Sequence, residues 1–508
     1  MTMLLPVGKP GKPWFGPRIF DDALLCPAKA SVALQGWQIP VGGNAEPLAK
    51  MKGPWLATAD LLRELANQGP TSMYVLRRHP VASLNILARS VLRHESGSAV
   101  GFAVSAVEAL LDGQAASAAA PFDYDATFVK VRFDSGELHA GGAFSFAGPD
   151  GMWQLWRLRM DAARAANETT RAWALVAGYA LAGSLDQESR SPLRAVDAFE
   201  VGAGTGRSVR LGTWGRRELE AEFESLRLGQ LRDMALDRRV VPGSHCAGCS
   251  FVGICPAAPR VKGLLSLVPT QSAVRKVTAT DLRMHAACAR RYQLLSVDRF
   301  PSAPMTGEAL RRGQVIDDWL TANHARGAAC CAADVARLHV ETGDDAATSM
   351  ATHHIGVCPL ADSSVRNLCL QTDVAALDTT SRVLLVARPD SVYRRDGAAV
   401  WRETKTRNLL KARTAGSLVE ADITAALYLV LLCSGAGGVP DALEWEELSA
   451  EAHELTILSA DDDDLVESAR THVSSAVADL VGDTIFPTRV GIQCGGCTAR
   501  RWCPDAPY

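Results

Sequence analysis

The chain carries one cysteine signature twice. Near the middle stands CAGCSFVGICP, with Cys246, Cys249 and Cys255 followed by Pro256. At the C-terminal end stands CGGCTARRWCP, with Cys494, Cys497 and Cys503 followed by Pro504. Both read C-x2-C-x5-C-P, and each has a proline shortly upstream, Pro242 and Pro487. A single CxxC says little, but the same three-thiol spacing in two places implies a duplicated unit. Each triplet lacks a fourth thiolate, and each half supplies one far upstream. Cys26 in FDDALLCPAKA lies 220 residues before Cys246, and Cys288 in DLRMHAACARRYQLL lies 206 residues before Cys494. Basic residues follow both, Lys29 in one half and Arg290 and Arg291 in the other. Four thiolates hold zinc tetrahedrally or a cubane iron–sulfur cluster, and the spacing leaves both open. Either would tie a domain's first helix to its last segment by closing a loop of about 200 residues, so that binding energy doubles as folding energy. The remaining Cys330, Cys331, Cys358, Cys369 and Cys433 have no spacing partner and read as ordinary thiols.

At 508 residues the chain has room for two to four domains, and 47% hydrophobic residues supply apolar material for their cores. No run approaches the ~20 apolar residues that span a bilayer, and Ala425 to Cys433 reads as a buried helix. Met1 to Lys12 does not resemble a secretory signal, so a cytoplasmic protein without membrane contact is expected. Thiols stay reduced there, which makes cysteine sets metal or catalytic sites before disulfides. The formal net charge of −3 excludes a polycation, and any nucleic-acid contact must come from a local basic surface.

Such a surface surrounds the segment SRVLLVARPDSVYRRDGAAVWRETKTR. Arg382 to Ala387 reads as a strand, Asp390 follows Pro389 at its end, and Asp396-Gly397 makes a turn. A second strand, Ala398 to Lys405, then holds Glu403 and Lys405 two apart, on one face. Asp390 and Glu403 on adjacent strands converge as two carboxylates for a hard divalent cation. The cation would polarise a phosphodiester and lower the pKa of a bound water, which Lys405 would orient. Arg388, Arg394, Arg402 and Arg407 cluster in sequence around this segment and suit phosphate contacts.

This combination resembles the PD-(D/E)xK nuclease superfamily, and within it the iron–sulfur branch of RecB-like and CRISPR-associated exonucleases and AddB-type helicase–nuclease subunits. The resemblance rests on Cys288, Pro389-Asp390, Glu403-Thr404-Lys405-Thr406 and the Cys494, Cys497, Cys503, Pro504 run, in the family's order. It implies an α/β fold with a restriction-endonuclease-like central mixed sheet flanked by helices. It also implies a [4Fe–4S] cluster on the four cysteines, with zinc as the alternative, and Mg²⁺ or Mn²⁺ on Asp390 and Glu403. Two positions depart from the pattern. The family often has a histidine four residues after a glycine on the first core helix as a further metal ligand, where this chain has Asp317 after Gly313, expected to serve as an oxygen ligand beside Asp390 and Glu403. Its glutamine four residues before a helical tyrosine is replaced by Thr424, while Tyr428 keeps the tyrosine and is expected to contact nucleic acid with the arginines.

The first half aligns with the second as a copy without chemistry. Trp156-Arg157 matches Trp401-Arg402, which sets Leu158 opposite Glu403 and Met160 opposite Lys405. Phe144 is read opposite Asp390, Ala57 opposite Asp317, and Tyr179 opposite Tyr428. The expectation is therefore two tandem domains, each closed by four cysteines: residues 1–260 (Cys26, Cys246, Cys249, Cys255) and 278–508 (Cys288, Cys494, Cys497, Cys503), joined by a linker over 261–277. The leading function is a metal-dependent DNA nuclease acting on ends or single strands, in repair, recombination or defence. The alternative is a non-catalytic nucleic-acid-binding subunit that assembles with a helicase or a CRISPR or other defence protein. No G-x4-GK[ST] motif is present, so unwinding would fall to a partner.

Overall fold

The computed structural model describes residues 14–15, 26–34, 54–67, 80–93, 97–117, 123–125, 130–133, 136–139, 143–159, 162–163, 165–187, 193–225, 237, 239–241, 246, 249, 251–252, 255, 258–268, 274–303, 307–435 and 439–506. Among these, the first half contains β1 (Trp14–Phe15), α1 (Pro27–Leu34), α2 (Pro54–Asn67), α3 (Pro80–Val91), α4 (Gly97–Ser117), β2 (Asp123–Asp125), β3 (Lys130–Phe133), β4 (Gly136–His139), β5 (Ala143–Ala147), β6 (Met152–Arg159), α5 (Glu168–Gln187), β7 (Ala195–Gly202), β8 (Ser208–Gly215) and α6 (Arg216–Phe223). The second contains β9 (Arg260–Val261), β10 (Arg275–Thr278), α7 (Ala279–Ala287), α8 (Glu308–His324), α9 (Ala332–Thr342), α10 (Asp345–Ile355), β11 (Arg366–Leu370), β12 (Val374–Asp378), β13 (Val383–Ala387), β14 (Ser391–Arg395), β15 (Ala398–Thr406), α11 (Ala415–Ala421), α12 (Ile423–Cys433), β16 (Pro440–Leu448), β17 (His453–Ser459) and α13 (Asp463–Gly482).

The two halves repeat one topology. In the second, β10 runs parallel to β13, which pairs antiparallel with β12. A five-stranded sheet follows in the order β11-β14-β15-β16-β17, with only β15–β16 parallel. In the first half β1 runs parallel to β4, which pairs antiparallel with β3. Its five-stranded sheet has the order β2-β5-β6-β7-β8, with only β6–β7 parallel. The correspondence extends to side chains. Arg157 stands opposite Glu200 across the parallel pair as Arg402 stands opposite Glu444, and both couples are ion-paired.

Local chemistry explains the elements that carry the site. Asp396 and Gly397 have φ of 50° and 90°, the left-handed conformations that a two-residue turn between twisted strands requires. That turn sets the register in which Ser391 faces Arg402. Helix α12 is apolar on every side and correspondingly buried on every side, from Ile423 to Leu432. It packs with Trp401, Trp445 and α13 into the largest core. Asp462 caps α13, its side chain accepting from the Leu465 N–H, with Asp463 and Asp464 in the first turn where the helix dipole favours acid. No single described helix is long and apolar enough to cross a membrane.

The described residues of the expected linker, 261–268 and 274–277, are not free. Val261 belongs to β9, which extends the second-half sheet beside β12. Leu264 and Leu265 are buried in the second-half core. The buried Asp378 carboxylate accepts from the N–H groups of Gly263 (3.1 Å), Leu265 (3.1 Å) and Thr380 (2.9 Å) and from Ser381 Oγ (2.8 Å). These bonds tie Gly263 and Leu265 to the second half through a carboxylate 113 residues downstream of Leu265.

The halves also exchange their cysteine segments. Val252 and Ala258, with Cys249 and Cys255 beside them, pack on Leu377, Leu384 and Val386 of the second half. Reciprocally, Ala499 and Trp502, flanked by Cys497 and Cys503, pack on Phe102, Ala106 and Ala203 of the first. Ser98 Oγ donates to the Trp502 carbonyl, and Arg501 donates to Ser105 Oγ at 2.9 Å.

Candidate functional site

Four elements converge at the mouth of the second sheet. Glu403 and Lys405 lie near the end of β15 and face the same side, with Trp445 of β16 beside Glu403 in register. Lys405 Nζ donates to Glu403 Oε1 and sits 5.6 Å from the Trp445 ring centroid. Asp390 immediately precedes β14, and its Oδ2 accepts the Thr404 N–H at 2.7 Å. Asp317 comes from α8, which approaches closely because Gly313 has no side chain. A Cβ there would lie 3.1 Å from Thr406 Oγ1. Gln371, in the turn between β11 and β12 with φ of 48°, joins the carboxylates: its amide donates to Asp317 Oδ1 (3.2 Å) and Asp390 Oδ1 (3.1 Å). Asp390 also takes the Gln371 N–H on its own carbonyl at 3.0 Å.

The electrostatics are those of a site built for a cation. Burial pushes the Glu403 carboxyl up to about 7, Asp390 pushes in the same direction, and Lys405 opposes them. Burial also raises Asp390, with Lys405 and the Thr404 N–H opposing and Asp317 adding to the rise. Asp317 is raised by burial and by Asp318, against Lys405 and Arg388. Three carboxyls that disfavour one another's ionisation lose that penalty when a divalent ion sits among them. Glu403 Oε2 is buried with no hydrogen-bond partner. A lone-pair oxygen left open next to Asp390 fits a hard metal ligand, so Asp317, Asp390 and Glu403 suit Mg²⁺ or Mn²⁺.

Cys288, Cys494, Cys497 and Cys503 line one pocket, together with Arg291, Arg489 and Arg500. Burial raises the Cys503 thiol, and Asp505, Cys288 and Cys497 lie close enough to add to the rise. Four thiolates ringed by arginines fit a thiolate-held metal group. In the other set Cys26 is buried beside α1, and burial raises Cys249, with Cys246 and Cys255 adding and Lys29 opposing. The Ala28 N–H donates to the Arg239 carbonyl at 3.0 Å, which joins the helix after Cys26 to the segment that precedes the triplet.

The structure does not offer all the proposed nucleic-acid residues to a ligand. Arg388 is exposed, and its Nε donates to the Gln371 carbonyl at 3.0 Å. Arg394 lies on the hairpin, bonded to the Gly397 carbonyl, and Arg407 is paired with Glu447 at 2.7 Å. Arg402 is 2% exposed, its guanidinium held by Glu444 and the Val357 carbonyl. It is a core ion pair, because alternation turns it to the face opposite Glu403. Tyr428 is 6% exposed, its hydroxyl accepting the Arg388 N–H at 3.4 Å. Its ring packs edge-on to Trp401 and cannot stack on a base.

In the first half Ala57 and Phe144 are buried in one apolar core, with Leu158 packed against it. Strand pairing corrects one match: Ala143 faces Arg157 as Ser391 faces Arg402. Ala143 therefore corresponds to Ser391 and Phe144 to Val392, so Phe144 does not occupy the Asp390 position. Met160 lies outside the described residues. Tyr179 stacks on Phe223 with centroids 3.8 Å apart.

Sequence reading missed Gln371, whose turn carries no motif, and Thr404, known only as the residue between two others. It also set aside Cys330 and Cys358, which the fold brings together with two histidines. No curated protein matches the chain. A solved structure titled "Crystal structure of SSO0001" aligns with 48% of this chain and 91% of its own, at 14% identity and a TM-score of 0.24, too low to carry any argument. The family model described as PD-(D/E)XK nuclease superfamily matches residues 276–504, the segment that brings Asp317, Asp390, Glu403 and Lys405 together: the second half carries a PD-(D/E)XK nuclease superfamily domain.

Proposed function

We propose that the chain is a divalent-metal-dependent deoxyribonuclease whose chemistry resides wholly in the second half. The observation that carries this is the constellation itself: Gln371 joining Asp317 to Asp390, Thr404 N–H on Asp390, and Glu403 beside Lys405. Asp317, Asp390 and Glu403 would hold Mg²⁺ or Mn²⁺, which would polarise the scissile phosphodiester and lower the pKa of a bound water. Lys405 is the one cation of the constellation, and it is part-exposed, its side chain 26% accessible. Lys405 Nζ would orient the attacking water or stabilise the charge developing on phosphate. Thr404 and Gln371 hold Asp390 in place through both carboxylate oxygens. Arg388, beside Asp390 and exposed, contacts a flanking phosphate.

Within this reading the first half is an inactive copy. The repeated sheet order, the matched Arg157–Glu200 and Arg402–Glu444 pairs and the apolar Ala57 and Leu158 support it. Each cysteine set holds a [4Fe–4S] cluster, with zinc as the alternative, and clamps the segment that packs on the opposite half. The substrate is DNA with an end or a single-stranded stretch, handled exonucleolytically in repair, recombination or defence with a helicase or CRISPR-type partner.

The test is degradation of labelled single-stranded, duplex and forked DNA by the full chain with Mg²⁺ or Mn²⁺. Glu403→Ala and Lys405→Ala should each abolish it. Undiminished cutting by Lys405→Ala would refute the catalytic assignment. Brown protein with about eight irons per chain supports two four-iron clusters; colourless protein with zinc on both sets removes the clusters and leaves the nuclease reading standing.

A further inference from the structure

Behind the sheet, on the side away from Glu403, four side chains that the proposed chemistry does not use converge in the core. His324 ends α8, Cys330 lies just before α9, His354 is near the end of α10, and Cys358 opens the turn Pro359–Ala361. All four are buried: His354 is 0%, Cys330 and Cys358 are 4% and His324 is 5% exposed. One ligand atom from each lies within 4.8 Å of the others. The His324 and His354 Nε2 atoms are 3.2 Å apart, and Cys358 Sγ is 3.5 Å from His324 Nε2. A tetrahedral zinc with ordinary Zn–N and Zn–S bonds has edges of about 3.3–3.8 Å.

The surroundings orient these groups for a metal. His354 Nδ1 faces Glu446 Oε1 at 2.7 Å, and both are fully buried. A carboxylate there holds the proton on Nδ1 and turns the Nε2 lone pair toward His324, Cys330 and Cys358. Two imidazole nitrogens facing each other across 3.2 Å, with two sulfurs beside them, are satisfied together by one soft-to-borderline cation. The sequence order, H-x5-C then H-x3-C, supplies two close pairs, as structural zinc sites do.

We infer that His324, Cys330, His354 and Cys358 form a structural zinc site, distinct from both cysteine sets and from the carboxylate site. With four protein ligands and no open position it has no catalytic role of its own. Its place in the fold gives it a positioning one. It ties the end of α8, two turns beyond Asp317, to α10 and through Glu446 to β16. Glu446 also accepts from Thr404 Oγ1 at 3.0 Å, and the Thr404 N–H is the donor that holds Asp390. The zinc therefore braces the two elements that deliver Asp317 and Asp390, whatever reaction they serve.

The test is X-ray absorption at the zinc edge on the purified full chain, with zinc counted per chain in wild type, Cys358→Ser and His324→Gln. The expected result is a shell of mixed sulfur and imidazole nitrogen in wild type and one zinc fewer per chain in either variant. Absence of zinc from wild type, a shell of sulfur alone, or a Cys330–Cys358 disulfide found by mass spectrometry would overturn the proposal. So would full zinc retention in both variants. The wild-type spectrum decides the matter even where a variant fails to fold, and none of these readouts depends on nuclease activity.

Discussion

Replacing Glu403 by glutamine should stabilise the metal-free protein, an outcome opposite to that of most substitutions of a buried residue. Burial and the neighbouring Asp390 raise the carboxyl from its ordinary 4.5 to about 7. A group raised in the folded state contributes stability that is full below the unfolded value, near pH 4.5, and is lost as pH rises through about 7. The loss corresponds to about 3 kcal/mol once pH exceeds 7. Glutamine has the same shape, keeps an oxygen for Lys405, and never ionises beside Asp390. In EDTA at pH 8 the Glu403→Gln protein should therefore melt higher than wild type by roughly 5–10 °C for a unit of this size. The difference should shrink toward zero near pH 4.5. Magnesium should reverse it at saturating levels, because ligand at about 1,000 times its Kd stabilises the protein that binds it by about 4.1 kcal/mol. Binding below pH 7 should also release protons, measurable as a buffer-dependent heat. The reasoning fails if Glu403→Gln is no more stable than wild type in EDTA at pH 8, or if the difference is the same at pH 5 and pH 8.

The buried and exposed arginines should separate cleanly. Arg402→Ala leaves Glu444 in the core without its main partner and should cost about 3–5 kcal/mol in urea unfolding. Arg388→Ala should leave stability alone and lower the slope of log DNA affinity against log salt by about one; an unchanged slope would remove Arg388 from the DNA contact. Asp378→Ala orphans the Leu265 and Thr380 N–H groups, while the Gly263 N–H keeps Thr380 Oγ1, and should cost about 3 kcal/mol, read by tryptophan fluorescence in urea, whereas a free linker over 261–277 would tolerate it. Gly313→Val should weaken magnesium binding by pushing α8 away from Thr406, and equal affinity by calorimetry would show that α8 does not set the site.

Much of the second half was legible in the residues. The Asp396-Gly397 turn, the alternation that puts Glu403 and Lys405 on one face, the apolar α12 and the acid-capped α13 are local consequences of side-chain shape and charge. The Trp156-Arg157 and Trp401-Arg402 pairs, aligned in the sequence, occupy matching registers beside their parallel neighbours. Alternation also implied what was read wrongly: Arg402, next to Glu403, must face the opposite side, and there it meets Glu444 rather than DNA. The placement of Phe144 failed because a two-residue offset in a short strand leaves the hydrophobic pattern intact.

What the sequence determined by itself was the chemistry available and its order along the chain: twin cysteine sets, a carboxylate–carboxylate–lysine series, and one half lacking it. Only the tertiary structure decided which of those groups meet. Gln371 reaches two aspartates 54 residues and 19 residues away, and Asp378 holds backbone more than a hundred residues upstream. His324, Cys330, His354 and Cys358 become neighbours because α8 packs beside α10, with α8 on β15 and α10 on β16. Local spacing records hairpins and helix faces, whose partners are a few residues apart. Contacts made by packing one element on another leave no periodic trace, and both the brace of the carboxylate site and the buried His–Cys cluster are of that kind.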